Sequence, residues 1–331
     1  MAKTTYGDIS QRTAYHAMAT MLAHAEPIIV LGKMGQNRPI PGNSANQAKF
    51  RRPITFEVST TPLVEGVTPT AHKIRFEDVP VTLSQYGDLV EISDVIADTG
   101  EDPVLNEASM LSGENAAETT EMICWGVVKA GTNKFYSNGS ARASVNTALS
   151  LTRQHAVNRN LRANRAKPIT RILNGSTNIN TTPVEGGYVA FAHTDCEYDI
   201  RQITGFVPVA EYGSRQPLCP EELGSVENVR YVLSPLLEPY LGAGSATLNS
   251  MKAADGVNVD VYPIVYIGQE AFGHVPLAGK DRITPSVINP GTIDKSDPLG
   301  QRGYVGWKAY YAAVRLNESW MAVLETAVTD L

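Results

Sequence analysis

Apolar and polar residues alternate most clearly between Lys49 and Val58, where Phe50, Arg52, Ile54, Phe56 and Val58 interleave with Lys49, Arg51, Pro53, Thr55 and Glu57. A period of two predicts a strand. A second run opens with Ile74 and Phe76 and then changes parity to Val79, Val81 and Leu83, as a bulge near Asp78 would produce. The Pro-, Gly- and Thr-rich stretch from Thr60 to Pro69 lies between them, so the two runs make a long hairpin with a long loop. A two-stranded hairpin is marginal in water, and its apolar positions therefore predict a partner surface elsewhere.

Helical spacing takes over afterwards. Asp102 suits an N-cap, Pro103 the first helical position and Gly131 a C-terminal cap. The enclosed helix, Pro103 to Ala130, would extend about 42 Å at about 1.5 Å per residue. Val104, Leu105, Ala108, Leu111, Met122, Val127 and Val128 form its apolar stripe, and Glu107, Glu114, Glu118 and Glu121 its acidic face, as in a spine packed on a sheet.

A shorter helix is predicted at Ser10 to Ala25, followed by a Pro-, Gly- and Asn-rich arm, Gly32 to Gln47, that has no core of its own. Leu151 to Lys167 reads as a basic helix ended by Pro168. Gly186 to Asp281 alternates strands, turns and a helix near Asp195 to Ile203, with Val257, Val259, Val261, Val265 and Ile267 on one face of a buried strand. Two aromatic-rich strands, Tyr304 to Leu316 and Ser319 to Val328, close the chain around Asn317-Glu318.

The 331 residues favour two domains, or one core with a large insertion. Hydrophobic residues at 43% and charged residues at 19% make this a globular composition. A net charge of -6 argues against a nucleic-acid coat, and the longest apolar runs fall far short of a membrane span. No basic-apolar leader is read at Met1. Cys124, Cys196 and Cys219 match neither a disulfide framework nor a zinc site, and so predict folding in a reducing, intracellular setting.

Enzyme chemistry finds little to build on. His193-Thr194-Asp195-Cys196 gathers three reactive residue types, yet it reads as a strand end followed by a helix N-terminus, capped by Thr194 or Asp195. The glycines from Gly300 to Gly306 precede a strand, whereas a dinucleotide loop opens a helix. Gly242 to Ser245 lacks the lysine of a P-loop and reads as a flexible surface turn.

Charge is segregated along the chain. Asp88 to Glu121 holds ten acids and no Lys or Arg, whereas Leu151 to Arg171 holds six basic residues and no acid. A third block, Lys33, Arg38, Lys49, Arg51 and Arg52, is also free of acids. Blocks of opposite sign on one chain suit self-association. The candidate contact residues are Arg51, Arg52, Glu65, Asp98, Glu107, Glu114, Arg159 and Arg162. Nucleic-acid binding by the basic helix is weakly supported, because no aromatic residue is interleaved with it.

The order of parts, together with Arg51-Arg52-Pro53, Thr61 to Pro69, Gln85 to Asp88, Lys129 to Asn133, Phe135-Tyr136, Gly205 to Val209, Tyr212-Gly213 and Asp297 to Lys308, resembles the major capsid proteins of tailed bacteriophages. These have the Hong Kong 97 fold, and the likeness is to the phage-N-four-related family among them. The resemblance implies an α+β chain: N-terminal arm 1–48, extended loop 49–92, peripheral domain with spine helix 93–150, inserted axial domain 151–285 and peripheral C-terminal strands 286–331. It further implies hexamers and pentamers closing into an icosahedral shell around double-stranded DNA held without sequence specificity. Portal and possible scaffolding or cement proteins would be further partners; no enzyme activity, cofactor, metal or membrane is implied.

On that footing Arg51 and Arg52 are expected to face a neighbour's Asp98 or Glu107, and Leu241 to Asp255 to be an exposed axial loop. Some relatives cross-link through a lysine on the extended loop. The tip from Thr60 to Thr70 has no lysine, so cross-linking is not expected, nor is a cleaved scaffolding segment ahead of the first helix. An encapsulin-like nanocompartment shell is the alternative within the fold. A small soluble enzyme using His193 to Cys196 is the alternative from another class.

Overall fold

The computed structural model describes residues 29–40, 46–54, 56, 58–60, 62, 65–68, 71–95, 104–173, 181–213, 216–277, 284–293 and 297–331. The predicted helix Ser10 to Ala25, Asp98, and the capping residues Asp102 and Pro103 lie outside them. The strands, in chain order, are β1 (Gln36–Asn37), β2 (Gln47–Pro53), β3 (Phe76–Thr82), β4 (Ser84–Ser93), β5 (Lys134–Tyr136), β6 (Ile169–Leu173), β7 (Thr181–Ala192), β8 (Phe206–Pro208), β9 (Glu222–Val226) and β10 (Val229–Leu233). There follow β11 (Tyr262–Ile267), β12 (Phe272–Pro276), β13 (Thr284–Ile288), β14 (Arg302–Arg315) and β15 (Met321–Thr326). Among the described residues the helices are α1 (Val104–Lys129), α2 (Leu151–Ala163) and α3 (Glu197–Arg201).

The described residues form three sheets. One runs β1-β12-β14-β13, with β4 on β14; a second runs β5-β15-β11-β7-β10-β9-β8, with β6 on β7; β2 and β3 form the third. β12 and β13 pair with β14, whereas β15 pairs with β11, so the two closing aromatic strands belong to different sheets. A short 3-10 turn at Glu318–Trp320 makes the crossing.

The eight-stranded sheet is buried on both faces, which explains its continuous apolar strands. Tyr188, Ala190, Ile264 and Tyr266 pack towards Val157 and Leu161 of α2. Val189, Phe191, Val265 and Ile267 pack towards Cys124, Trp125 and Val128 of α1. Further up the same helix, Ala116 and Ala117 meet Trp307 and Ala309 of β14, and Ala108 meets Ile92 and Val305. Helix α1 is thus a spine shared by two sheets.

Its buried face differs from the predicted stripe. Leu111 is 64% exposed and Met122 42%, while Ser109, Ser112, Gly113, Ala116, Ala117 and Thr120 are buried. Small residues are selected because the helix lies close over β14, and larger ones would hold it off. Nor is the acidic face uniform. Glu107 and Glu118 are exposed, but Glu121 is buried, and its carboxylate accepts hydrogen bonds from the backbone N–H groups of Leu31 (3.0 Å) and Gly32 (3.2 Å). This fixes the coreless arm to the spine. The arm then adds β1 in parallel to β12, and Gly35 passes so near His274 that a Cβ there would lie 2.5 Å from the imidazole Nε2.

Helix α2 stops at Ala163, four residues before the predicted end. Arg165 adopts φ +55°, and the N–H of Ala166 bonds back to the carbonyl of Leu161 (2.9 Å), closing the helix with a left-handed residue ahead of Pro168. The predicted strand from Val257 begins as regular ladder only at Tyr262, and Val257 itself is 60% exposed. The turn Gly242 to Ser245 is not a free loop. Gly244 N–H bonds Val259 O, Ser245 N–H bonds Val145 O, and the fully buried Asp260 accepts from the N–H groups of Gly242 (2.7 Å) and Ala254 (2.8 Å).

Candidate functional site

Chemistry at His193 to Cys196 is resolved by burial. The segment is the strand end and helix start that the sequence predicts, but the cap is His193, whose Nδ1 accepts the N–H of Asp195 (3.0 Å). Burial, aided by the charges of Asp199 and Asp195, pushes the Cys196 thiol far above its ordinary range, which favours the neutral thiol of a packed core residue. Burial likewise depresses the His193 pKa, against the opposing pull of Asp195. Asp195 receives Lys252 Nζ and Tyr262 OH, each at 2.7 Å. Burial alone would raise its pKa, yet those bonds and the nearby positive charge hold it below its usual value. The cluster is a clamp between α3 and the 241–255 loop.

That clamp has a pH signature. A folded-state pKa below the unfolded value of about 3.9 gives stability that is complete above that value and is lost as pH falls through the folded one. Asp195→Asn is therefore expected to flatten the fall in melting temperature below about pH 4, measured by thermal melts across the acid range. An acid limb as steep as in the parent would place the effect elsewhere.

Surfaces offer more than buried chemistry. The ladder of β2 and β3 runs from Gln47↔Thr82 to Pro53↔Phe76 without a shift, so the bulge predicted near Asp78 is not formed. Its parity change has another cause. Phe76 sits on the outward face, 53% exposed, under the Arg51 guanidinium at 5.4 Å from its ring centre. Inward, Phe50 and Val81 pack with Ile40, Leu83, Val275 and Ala312, which anchors the base of the hairpin to the five-stranded sheet. Further out, Ile54 (48% exposed), Phe56 (56%) and Val58 (75%) project without a core.

Between this hairpin and the body lies a groove of about 1010 Å³. Ile54, Phe56 and Val58 form one wall; Arg165, Lys167 and Trp320, at the end of α2 and before β15, form the other, with Arg38 alongside. The side chains of Arg38, Arg165 and Lys167 make no ion pair among the described residues, and Arg38 lies over the Phe50 ring at 5.7 Å.

The second unusual surface is β4. It pairs only with β14 among the described residues, which leaves its outer edge open. It carries exposed Leu89 and Val90, with Val95 just beyond, beside Asp88, Glu91 and Asp94. Glu91 faces Arg302 at 3.7 Å, and Asp88 and Asp94 have no cation partner among the described residues.

The predicted contact residues fall out as follows. Arg51 binds Asp78 through two hydrogen bonds (2.9 and 3.2 Å), which hold the Asp78 carboxyl below its usual range, and Arg52 pairs with Glu77. Both arginines therefore have carboxylate partners on their own hairpin, within the single chain. Glu65 stands exposed at the tip beside Gly66, whose φ of +77° makes the turn. Glu107 is exposed and Glu114 half-buried on α1, while Arg159 and Arg162 point outward from α2, Arg162 beside Tyr188. The structure does not gather these residues into one site. The groove cations Arg38, Arg165 and Lys167 lay within the basic blocks, but only the left-handed end of α2 and the folded-back hairpin put them together.

Comparison with known proteins agrees with this architecture. The phage capsid protein family matches residues 76–325. The major capsid protein of Pseudomonas phage KPP21 is 24% identical over 186 residues, covering 51% of this chain; the match spans 46%, about half, of that relative's length. Among solved structures, the capsid of Ralstonia phage GP4 superposes with a TM-score of 0.70 at 11% identity, covering 92% of this chain and 90% of the other. The cyanophage Pam1 capsid asymmetric unit gives a TM-score of 0.58 at 15% identity, covering 99% and 95%. With three quarters of its length matched and the mixed α/β fold shared throughout, this chain belongs to the phage capsid protein family.

Proposed function

We propose that the chain is a shell subunit of the Hong Kong 97 type, which self-assembles through hexamers and pentamers into an icosahedral capsid around double-stranded DNA. The observation that carries this reading is the projecting hairpin. Beyond its base, which packs on the five-stranded sheet, the hairpin exposes Ile54, Phe56, Val58, Ile74 and Phe76 with no partner sheet among the described residues, and such a ribbon gains stability only against another surface. A neighbouring copy supplies one. In this reading β2, β3 and the tip are the extended loop, α1 is the spine, the five-stranded sheet is the peripheral domain and the eight-stranded sheet the axial domain, with β15 returning into it. The outward residues Glu107, Glu114, Arg159 and Arg162 are proposed contacts of the same assembly, which takes place in the host cytoplasm and ends in the virion. The role is structural, without catalysis; portal, scaffolding or cement proteins are further proposed partners.

Negative-stain microscopy of the purified full chain tests this. Closed shells or free pentamers and hexamers are expected. A discrete monomer or dimer over a range of concentrations would overturn the reading, and shells filled with cargo protein instead of DNA would favour the nanocompartment alternative.

A further inference from the structure

The groove and strand β4 carry complementary surfaces that one chain cannot bring together. On the groove side, Arg38, Arg165 and Lys167 are cations without ion partners among the described residues, set beside the apolar wall of Ile54, Phe56 and Val58; of the two acids that also line the groove, Glu77 is paired with Arg52 and Glu270 leaves the lining basic on balance. On the strand side, Asp88 and Asp94 are acids without cation partners among them, set beside exposed Leu89, Val90 and Val95. Leu89 pairs with Gly306, and Leu316 in the groove lies ten residues further along β14 and the turn after it. At about 3.3 Å per strand residue that separation is about 33 Å, so the stretch of β4 around Leu89 does not reach Leu316 in its own chain's groove.

We infer that the groove between hairpin and body receives the acidic edge strand β4 of a second copy, with Arg165 and Lys167 against Asp88 and Asp94 and the two apolar sets packed together. This rests on the self-assembly reading and names the partner surface within it. It also replaces Arg51 and Arg52, whose charges are already matched on their own hairpin, as the cations that select the neighbour. Because groove and strand are different patches of one chain, the contact is heterologous, and repeated around an axis it closes a ring.

Charge exchange tests the pairing. The two groove cations, Arg165→Glu with Lys167→Glu, and the two strand acids, Asp88→Lys with Asp94→Lys, are exposed or half-exposed positions where folding can be checked by circular dichroism and melting. Each pair alone places like charges face to face, and ring and shell yield is expected to fall about tenfold or more. All four substitutions in one chain should restore assembly. Mixing the groove-reversed chain with the strand-reversed chain permits only alternating contacts, so six-membered rings should form and five-membered rings should not.

If either pair assembles like the parent, or if the folded four-fold variant fails to recover, the inference is overturned. Groove variants that assemble normally but retain less DNA would assign these cations to the genome, which also overturns it. A parent chain that forms no rings at all would instead sink the shell reading on which the inference stands.

Discussion

Trp125→Ala is expected to destabilise the chain by about 4 kcal/mol, within the range for losing a large buried aromatic side chain. Trp125 is 2% exposed in the cluster where the end of α1 meets Val189, Phe191 and Val265 of the eight-stranded sheet. Its indole N–H also donates to the carbonyl of Glu238 (3.2 Å), a bond that alanine cannot make. The informative control is Leu111→Ala on the same helix. Helical periodicity alone places Leu111 in the core, where truncation costs about 2 to 5 kcal/mol. At 64% exposure in the single chain it should change monomer stability by less than about 0.5 kcal/mol. Urea unfolding of the two variants, in conditions that keep the chain unassembled, decides the matter. Equal losses would mean that the buried face of α1 is misassigned.

The second large effect is expected at Arg142. Glu325 on β15 is fully buried and receives a bidentate pair from Arg142, Nε to Oε2 at 2.8 Å and Nη2 to Oε1 at 2.7 Å, with Lys134 Nζ at 3.4 Å. The guanidinium also lies 3.6 Å from the ring centre of Tyr240. Arg142→Ala would leave a buried carboxylate with only the longer lysine contact, a loss of about 3 kcal/mol. Removing both partners is less damaging than removing one, because the desolvated charge disappears with its counter-ion. Arg142→Ala combined with Glu325→Leu should therefore recover a large part of the loss. A double-mutant cycle by chemical denaturation measures this. Additive losses would show that the two side chains act independently, contrary to the bidentate geometry.

These two sites mark where local pattern stops being informative. The strands and helices were legible because each leaves a mark in the chain: period two from Lys49 onward, a glycine after α1, a proline after α2. The phase of a repeat was a weaker guide: Tyr188 to Ala192, buried on both faces, is apolar throughout. It failed where an outside contact set the pattern. Phe76 looked like part of a bulge because its ring is held outward under Arg51, and Leu111 looked buried because the first half of the helix, over β14, turns its small residues to the sheet.

The candidate site was legible only as charge. Acid-free and base-free blocks announced opposite surfaces, and their chemistry is a property of composition that no fold can alter. Which cations remain available was decided by the tertiary structure. Strand pairing at a cross-strand separation of about 5 Å matched Arg51 and Arg52 to Asp78 and Glu77. The left-handed residue at the end of α2 turned Arg165 and Lys167 into the groove, where neither makes an ion pair among the described residues although Glu77 and Glu270 also line it.

The sequence by itself thus determined the elements, the absence of a local catalytic motif and the sign of each surface, because these depend on neighbours a few residues apart. Only the tertiary structure decided which residues of α1 are buried, which arginines are already neutralised and which surfaces wait for a second copy. Those depend on contacts between positions up to hundreds of residues apart, such as Leu31 with Glu121 or Arg142 with Glu325, and no local repeat encodes them.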